Sequence, residues 1–162
     1  MFEHSLEDAR SKGWEPWDRP IVAGRDLRPW QAPKTKALLW CYDENLDILP
    51  DAPEPLRAHF ARHQSALQAR SDWREGTPLW TLYRLTEGLQ QPKVVWRDMG
   101  PHLQATQLDA STLPLNTAYY IPCADSLRAW ALCAWLNSAP VRSYAHALAE
   151  RARGRAQGAC IR

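Results

Sequence analysis

The residues able to do chemistry are few, and they do not assemble into a reaction centre. His59 and His63 stand one helical turn apart, a spacing at which two imidazoles can share a metal ion. The residues between them, Phe60-Ala61-Arg62, supply no carboxylate of the kind that completes an HExxH site. His63 also falls on the apolar side of its helix, so both rings are expected to pack at the core or its rim rather than to ligate. A second combination is Asp51, in Pro50-Asp51, with Lys93, in Gln91-Pro92-Lys93. A carboxylate that holds Mg²⁺ and a lysine beside the attacked phosphate are what metal-dependent phosphodiester hydrolysis requires. Here Asp51 sits in a Pro-rich turn and the sequence contains no Asp-x-Lys or Glu-x-Lys, so a nuclease is disfavoured. No Gly-x-Gly occurs, which removes the dinucleotide and P-loop fingerprints, and there is no Gly-x-Ser-x-Gly elbow. The four cysteines, at 41, 123, 133 and 160, include no CxxC pair. With no signal peptide ahead of them they are expected to be reduced thiols of a cytoplasmic protein.

What remains is chemistry of contact rather than reaction. Pro20 to Gln31 reads PIVAGRDLRPWQ, too broken by Gly and Pro for a helix and too polar after Ala23 for a core strand. Nine tryptophans in 162 residues are many, and indoles serve equally as core filling, as stacking surfaces and as interface anchors. Arg outnumbers Lys about four to one, which suits planar contacts to phosphates and bases, although a GC-rich genome produces the same bias. The net charge of +2 gives no global sign of a nucleic-acid partner.

The elements that must position these residues follow from pattern. Ser5 with Asp8 opens a short helix that Gly13 can stop. Trp14 to Pro20 reads as an extended linker, PIVAG as a short strand and KALLWCY (36–42) as a buried strand. Residues 55–70 give the clearest helix, with Leu56, Phe60, His63 and Leu67 on one face. A second short helix is expected in WREGTPLWTLYRL. PKVVWRD, LQATQL and NTAYYIPC read as strands. Asp125 is an N-cap for DSLRAWALCAWLNS, whose Trp130 and Trp135 are expected in the core, and Pro140 fits the first turn of a last helix. The tail ARGRAQGACIR is basic and expected to be loose. Strands and helices do not alternate regularly, which predicts an α+β class: one domain, a small mixed sheet with flanking helices. The expected boundaries are an N-terminal helix and linker over 1–16, a domain over 17–158 and a loose end over 159–162.

Four segments in order carry a resemblance: Gly24-x-Asp26-Leu27-x-x-Trp30, Pro92-Lys93-Val94-Val95, Asn116-x-x-Tyr119-x-Ile121, and the helix ending Leu136-Asn137-Ser138. The series resembles the target-recognition (specificity) domain of adenine-N6 DNA methyltransferases of the TaqI and Eco57I kind, also found in fused restriction-modification enzymes and phage-defence methylases. It covers roughly residues 17 to 158, and Arg153 to Arg162 looks like the family's Gly-rich turn. The resemblance implies double-stranded DNA as partner, with a methyltransferase catalytic domain or subunit supplied elsewhere. The catalytic Asn-Pro-Pro-Tyr loop has no counterpart here, since no Pro-Pro dipeptide exists. No catalytic residue, metal or cofactor is therefore expected in this chain.

On that footing Gly24 permits a tight turn, Asp26 braces it, and Leu27 and Trp30 anchor it in the core, with Asn116 as a further motif position. Arg25 and Arg28 are left outside for DNA. Lys34 and Lys36 are expected at phosphates. Lys93 and Arg97 share one strand face and both are expected to contact DNA, Lys93 at a phosphate, with a solvated edge charge as its alternative. Arg70 and Arg74, after the long helix, are expected in a recognition loop. The alternative is a protein-interaction module that docks a methylase or phage-defence subunit.

Overall fold

The computed structural model describes residues 2–83 and 85–148, together with the backbone of 150–151 and 159–160. The chain divides into two compact units, one of residues 1–20 and 35–87, the other of residues 21–34 and 88–162.

In the first unit Glu3–Ser5 (β1) leads into the helix Leu6–Ser11 (α1), where the Ser5 hydroxyl accepts a hydrogen bond from Asp8 N and Gly13, at φ 67°, follows the end. Residues 14–17 form a single 3₁₀ turn rather than an extended linker, and Asp18–Val22 (β2) begins here. Lys36–Leu39 (β3) pairs antiparallel with β1, Glu3 opposite Leu38. The long helix is broken. Glu54–Arg62 (α2) and Gln64–Gln68 (α3) are separated at His63, whose φ of −104° and ψ of 12° leave the helical region. The expected face survives the break, because Leu56, Phe60 and Leu67 are all buried with Ala9, Trp14, Leu39 and Cys41. Residues 1–16, expected outside the domain, thus contribute Ala9 and Trp14 to this core. No helix forms over described residues 69–83, where Pro78 and a glycine at φ 85° interrupt the pattern.

The second unit is built on Lys93–Arg97 (β4), followed by Met99–Gly100 (β5), Ala105–Leu108 (β6), Leu113–Pro114 (β7) and Ala118–Pro122 (β8). β4 is the central strand of an antiparallel sheet ordered β6-β4-β8, with Val95 opposite Thr106 on one side and Tyr120 on the other. Ile21 and Val22 of β2 pair in parallel with β7. Two helices follow, Ser126–Leu136 (α4), capped by the Asp125 carboxylate on Arg128 N, and Ala139–Leu148 (α5) with Pro140 in its first turn. Glu150–Arg151 (β9) and Ala159–Cys160 (β10) pair with each other, and β10 pairs with β5. The expected basic tail otherwise lies outside the described residues.

Successive strand residues point to opposite faces, and β4 uses both. Val94 packs with Ala105, Ala129, Cys133 and Leu136 under α4, while Val95 packs with Val22, Leu27 and Leu108. Each fully buried Leu or Val contributes about 1.5–3 kcal/mol, so a strand covered on both faces adds to the unit's stability from each side. Asn137, the C-cap of α4, fastens the sheet edge. Its Nδ2 donates to Ala105 O and its Oδ1 accepts from Ala105 N, at 2.8 and 2.9 Å, which satisfies both backbone groups of an edge residue. The buried thiols of Cys41 and Cys133 are pushed up by burial to about 12 and about 11, so neither is a nucleophile at neutral pH.

Candidate nucleic-acid interface

The opening stretch lies in the second unit, against the Val95 side of the sheet. Gly24–Asp26 makes one 3₁₀ turn, closed by Asp26 N on Ala23 O and Leu27 N on Gly24 O. The glycine serves a close approach rather than a tight turn. A Cβ at this position would meet Thr117 O at 2.0 Å, and Gly24 N donates to Thr117 Oγ1 at 2.9 Å. Asn116, exposed, stands beside Thr117 in the turn that Ala118 N closes on Leu115 O. Leu27 is fully buried, and its carbonyl accepts from two guanidinium groups, Arg28 Nη1 at 2.8 Å and Arg97 Nη2 at 2.9 Å.

Arg28 and Gln31 then bond reciprocally through their backbones, N to O at 3.0 and 3.1 Å, with Pro29 and Trp30 at the tip. Pro in the second position and positive φ in the third mark a type II turn. The third position ordinarily takes Gly, yet here it is Trp30 at φ 67°. The expectation that Trp30 anchors the turn in the core fails. Its side chain is 49% exposed and lies nearly parallel to the indole of Trp130, centroids 6.3 Å apart. Trp130 and Trp135, expected in the core, are exposed as well, because α4 is apolar on more than one face and buries only its Ala129, Cys133 and Leu136 stripe fully.

Of the cations expected to contact DNA, Arg25 and Arg28 are exposed in this loop. The Arg25 guanidinium approaches Asp26 at 3.8 Å, and Arg28 Nη1 is pinned by Arg25 O at 2.7 Å as well as by Leu27 O. Asp26, Arg28, Gln31, Ala32 and Pro33 line an open pocket. Lys34 is part-exposed, and its ammonium is held on Asp109 Oδ2 at 2.5 Å.

Lys93 is a correction. It is neither a phosphate contact nor an edge charge, since it lies on the central strand with no exposed surface. Its Nζ donates to Asp109 O at 2.8 Å and Thr112 O at 3.1 Å. Asp109 in turn accepts from Ser111 Oγ, Thr112 Oγ1 and Thr112 N, so Lys93 locks the turn that leads into β7. Burial pushes the Asp109 carboxyl up, but the hydrogen bonds from Lys34, Thr112 and Ser111 outweigh it and hold the group well below the usual carboxylate range. Burial brings the Lys93 ammonium down to about 8, opposed by the charge of Asp109 and reinforced by that of Lys34. Arg97 is likewise structural. It shares the face of Lys93, as the strand period requires, but that face is covered by the opening stretch, and its guanidinium holds Leu27 O and Gln104.

The remaining expected contacts belong to the first unit. Arg70 is a further correction. It is mostly buried and donates to the carbonyls of Leu67, Leu79 and Thr81, organising the loop after α3 instead of leaving it. Arg74 is exposed in that loop, and Lys36 is exposed and ion-paired with Glu3. The outward placement of Trp30 and the backbone bridge from Gln31 to Arg28 were not legible in the sequence. The one available signal was a Trp in the place after Pro where a type II turn takes Gly.

Residues 19–158 match the family model of the TaqI-like C-terminal specificity domain. Among solved structures, the Type IIL restriction-modification enzyme MmeI, determined in complex with DNA, superposes with a TM-score of 0.54 at 16% identity over 82% of this chain. The chain spans 18% of the length of that enzyme. A search of curated proteins finds no match.

Proposed function

The chain belongs to the family of TaqI-like C-terminal specificity domains, and from that premise we propose that it selects the DNA sequence on which a separate adenine-N6 methyltransferase or restriction-modification activity works. The observation that carries this reading is the division of labour in the opening stretch. Leu27 is buried and its carbonyl doubly held, while Arg25 and Arg28 on either side are exposed. Such a loop presents cations from a rigid base, which is how a recognition element keeps its register on a duplex. Arg25, Lys34, Lys36 and Arg74 act as phosphate contacts in this reading, and the chain itself transfers no methyl group.

A specific observation favours a second partner alongside DNA. α4 exposes Leu127 (79%), Trp130 and Trp135 (60%), large apolar side chains of the type that mark a protein-protein contact. A catalytic methyltransferase polypeptide is the partner this reading assigns.

Fluorescence-anisotropy titration of a mixed-sequence duplex at several salt concentrations tests the DNA reading. The affinity is expected to fall steeply with salt through counterion release, and Arg25→Ala is expected to flatten the logarithmic slope by about 1. Absence of binding at low salt, with complex formation to a methyltransferase intact, would leave only the docking role.

A further inference from the structure

We infer that Arg28 and Gln31 read base edges directly, as a fixed pair, with guanine the base addressed by Arg28 and a neighbouring adenine the base addressed by Gln31. The inference rests on the DNA-binding reading above and adds to it the two side chains that would set specificity.

The turn supplies the placement. Arg28 and Gln31 form an antiparallel bridge, so their side chains leave the same face of a two-residue ribbon as neighbours. Both line the same open pocket, with Asp26 beside them. The guanidinium is not a loose charge. Nη1 donates to Arg25 O and Leu27 O at 2.7 and 2.8 Å, which fixes the plane of the group, and Leu27 is itself buried in the core. The Nε–Nη2 edge has no partner among the described residues and remains the only side able to make a bidentate contact. That edge matches the O6 and N7 acceptors of guanine in the major groove. A phosphate contact needs no such fixing, because a charge on a flexible stem satisfies it. Gln31 offers one donor and one acceptor at its tip, the complement of adenine N7 and N6.

The strain in the turn points the same way. Any residue but Gly or Asn is disfavoured at the third position, and a Trp there costs stability. In exchange the tip is stiffened by the Pro29 ring, by Trp30 N on Ala105 O and by the indole pair with Trp130. A recognition pair held to within a fraction of an ångström benefits from that stiffness. A simple surface turn has no use for it.

Selection of bound duplexes from a randomised library, followed by sequencing, tests the proposal on the intact chain. The wild type is expected to enrich a motif with guanine at one position and adenine close by. Arg28→Ala should make the guanine position degenerate and leave the others unchanged, a loss of discrimination of roughly 10- to 100-fold at that position. Gln31→Glu replaces a donor-acceptor tip with acceptors only, so the adenine position should turn toward cytosine, whose N4 amino group donates. Because Gln31 is exposed, this variant keeps the test valid if Arg28→Ala misfolds. If both variants weaken all sequences evenly with the motif intact, the two residues are phosphate contacts and the proposal fails while the DNA reading stands. If the wild type enriches nothing even at low salt, the DNA reading fails and the proposal falls with it.

Discussion

Gly24→Ala is expected to destabilise the protein by about 3 kcal/mol or more, a penalty typical of a buried atom forced into a filled site together with lost hydrogen bonds. The new Cβ would stand 2.0 Å from Thr117 O and 2.9 Å from its carbonyl carbon, and both are backbone atoms that a rotamer change cannot clear. Thr117 O also accepts from Asp98 N at 3.1 Å, and Gly24 N donates to Thr117 Oγ1, so the shift that makes room loosens two bonds. The opening stretch would lift with it, and DNA affinity should fall although no contacting side chain has changed. Gly76→Ala is the contrast. No atom lies within 4 Å of its Cβ, and only its φ of 85° penalises the change, at about 1 kcal/mol. Urea unfolding followed by tryptophan fluorescence measures both. Equal losses for the two variants would contradict the close-approach account.

The second large effect concerns Lys93. Lys93→Met keeps an unbranched stem one atom shorter but leaves Asp109 O and Thr112 O without their buried donor, at a cost of about 2–3 kcal/mol near neutral pH. Its pH dependence has a definite sign. The folded ammonium titrates at about 8 and the unfolded one at 10.5, so between these values the unfolded chain binds more protons. The wild type therefore gains stability relative to Lys93→Met as pH rises through that window, by up to about 3 kcal/mol, with a flat difference below it. The difference between the two proteins is the quantity to measure. Cys41, Cys133 and Tyr42 are all raised by burial and pull absolute stability down at high pH, but they do so equally in both. A difference curve level from pH 7 to 11 would show that Lys93 titrates like a solvated amine.

The elements were largely legible in the sequence because each rests on local chemistry. Ser5 and Asp125 cap the helices expected of them, PKVVWRD forms the strand its β-branched residues imply, and Pro140 lies in the first turn of α5. What failed was the assignment of exposure to polar and aromatic residues. Lys93 and Arg70 carry charge and so were expected outside, but each reaches backbone carbonyls that local pattern does not reveal, those of Thr112 and Thr81 among them. Trp30, Trp130 and Trp135 are apolar and so were expected inside, yet the loop and helix bearing them bury only Leu27 and one narrow stripe. Gly24 was recognised as necessary for a different reason, since nothing in its neighbours announces Thr117, ninety-three positions away. The resemblance fared better than the side-chain reasoning because the order of the four segments reflects topology. Asn137 shows this directly, its place in Leu-Asn-Ser being set by the edge residue Ala105 that it fastens.

The burial of Lys93 also makes it a chemical clock. Only four lysines occur in the chain, and Lys12, Lys34 and Lys36 are at the surface. An acylating reagent attacks the neutral amine and must first reach it, so those three are modified in the native protein while Lys93 is shielded at the centre of its sheet. Lys93 becomes reactive only when β4 parts from its neighbours. The lag between acylation of the three surface lysines and that of Lys93, read site by site by peptide mass spectrometry, times the opening of the sheet without any introduced probe.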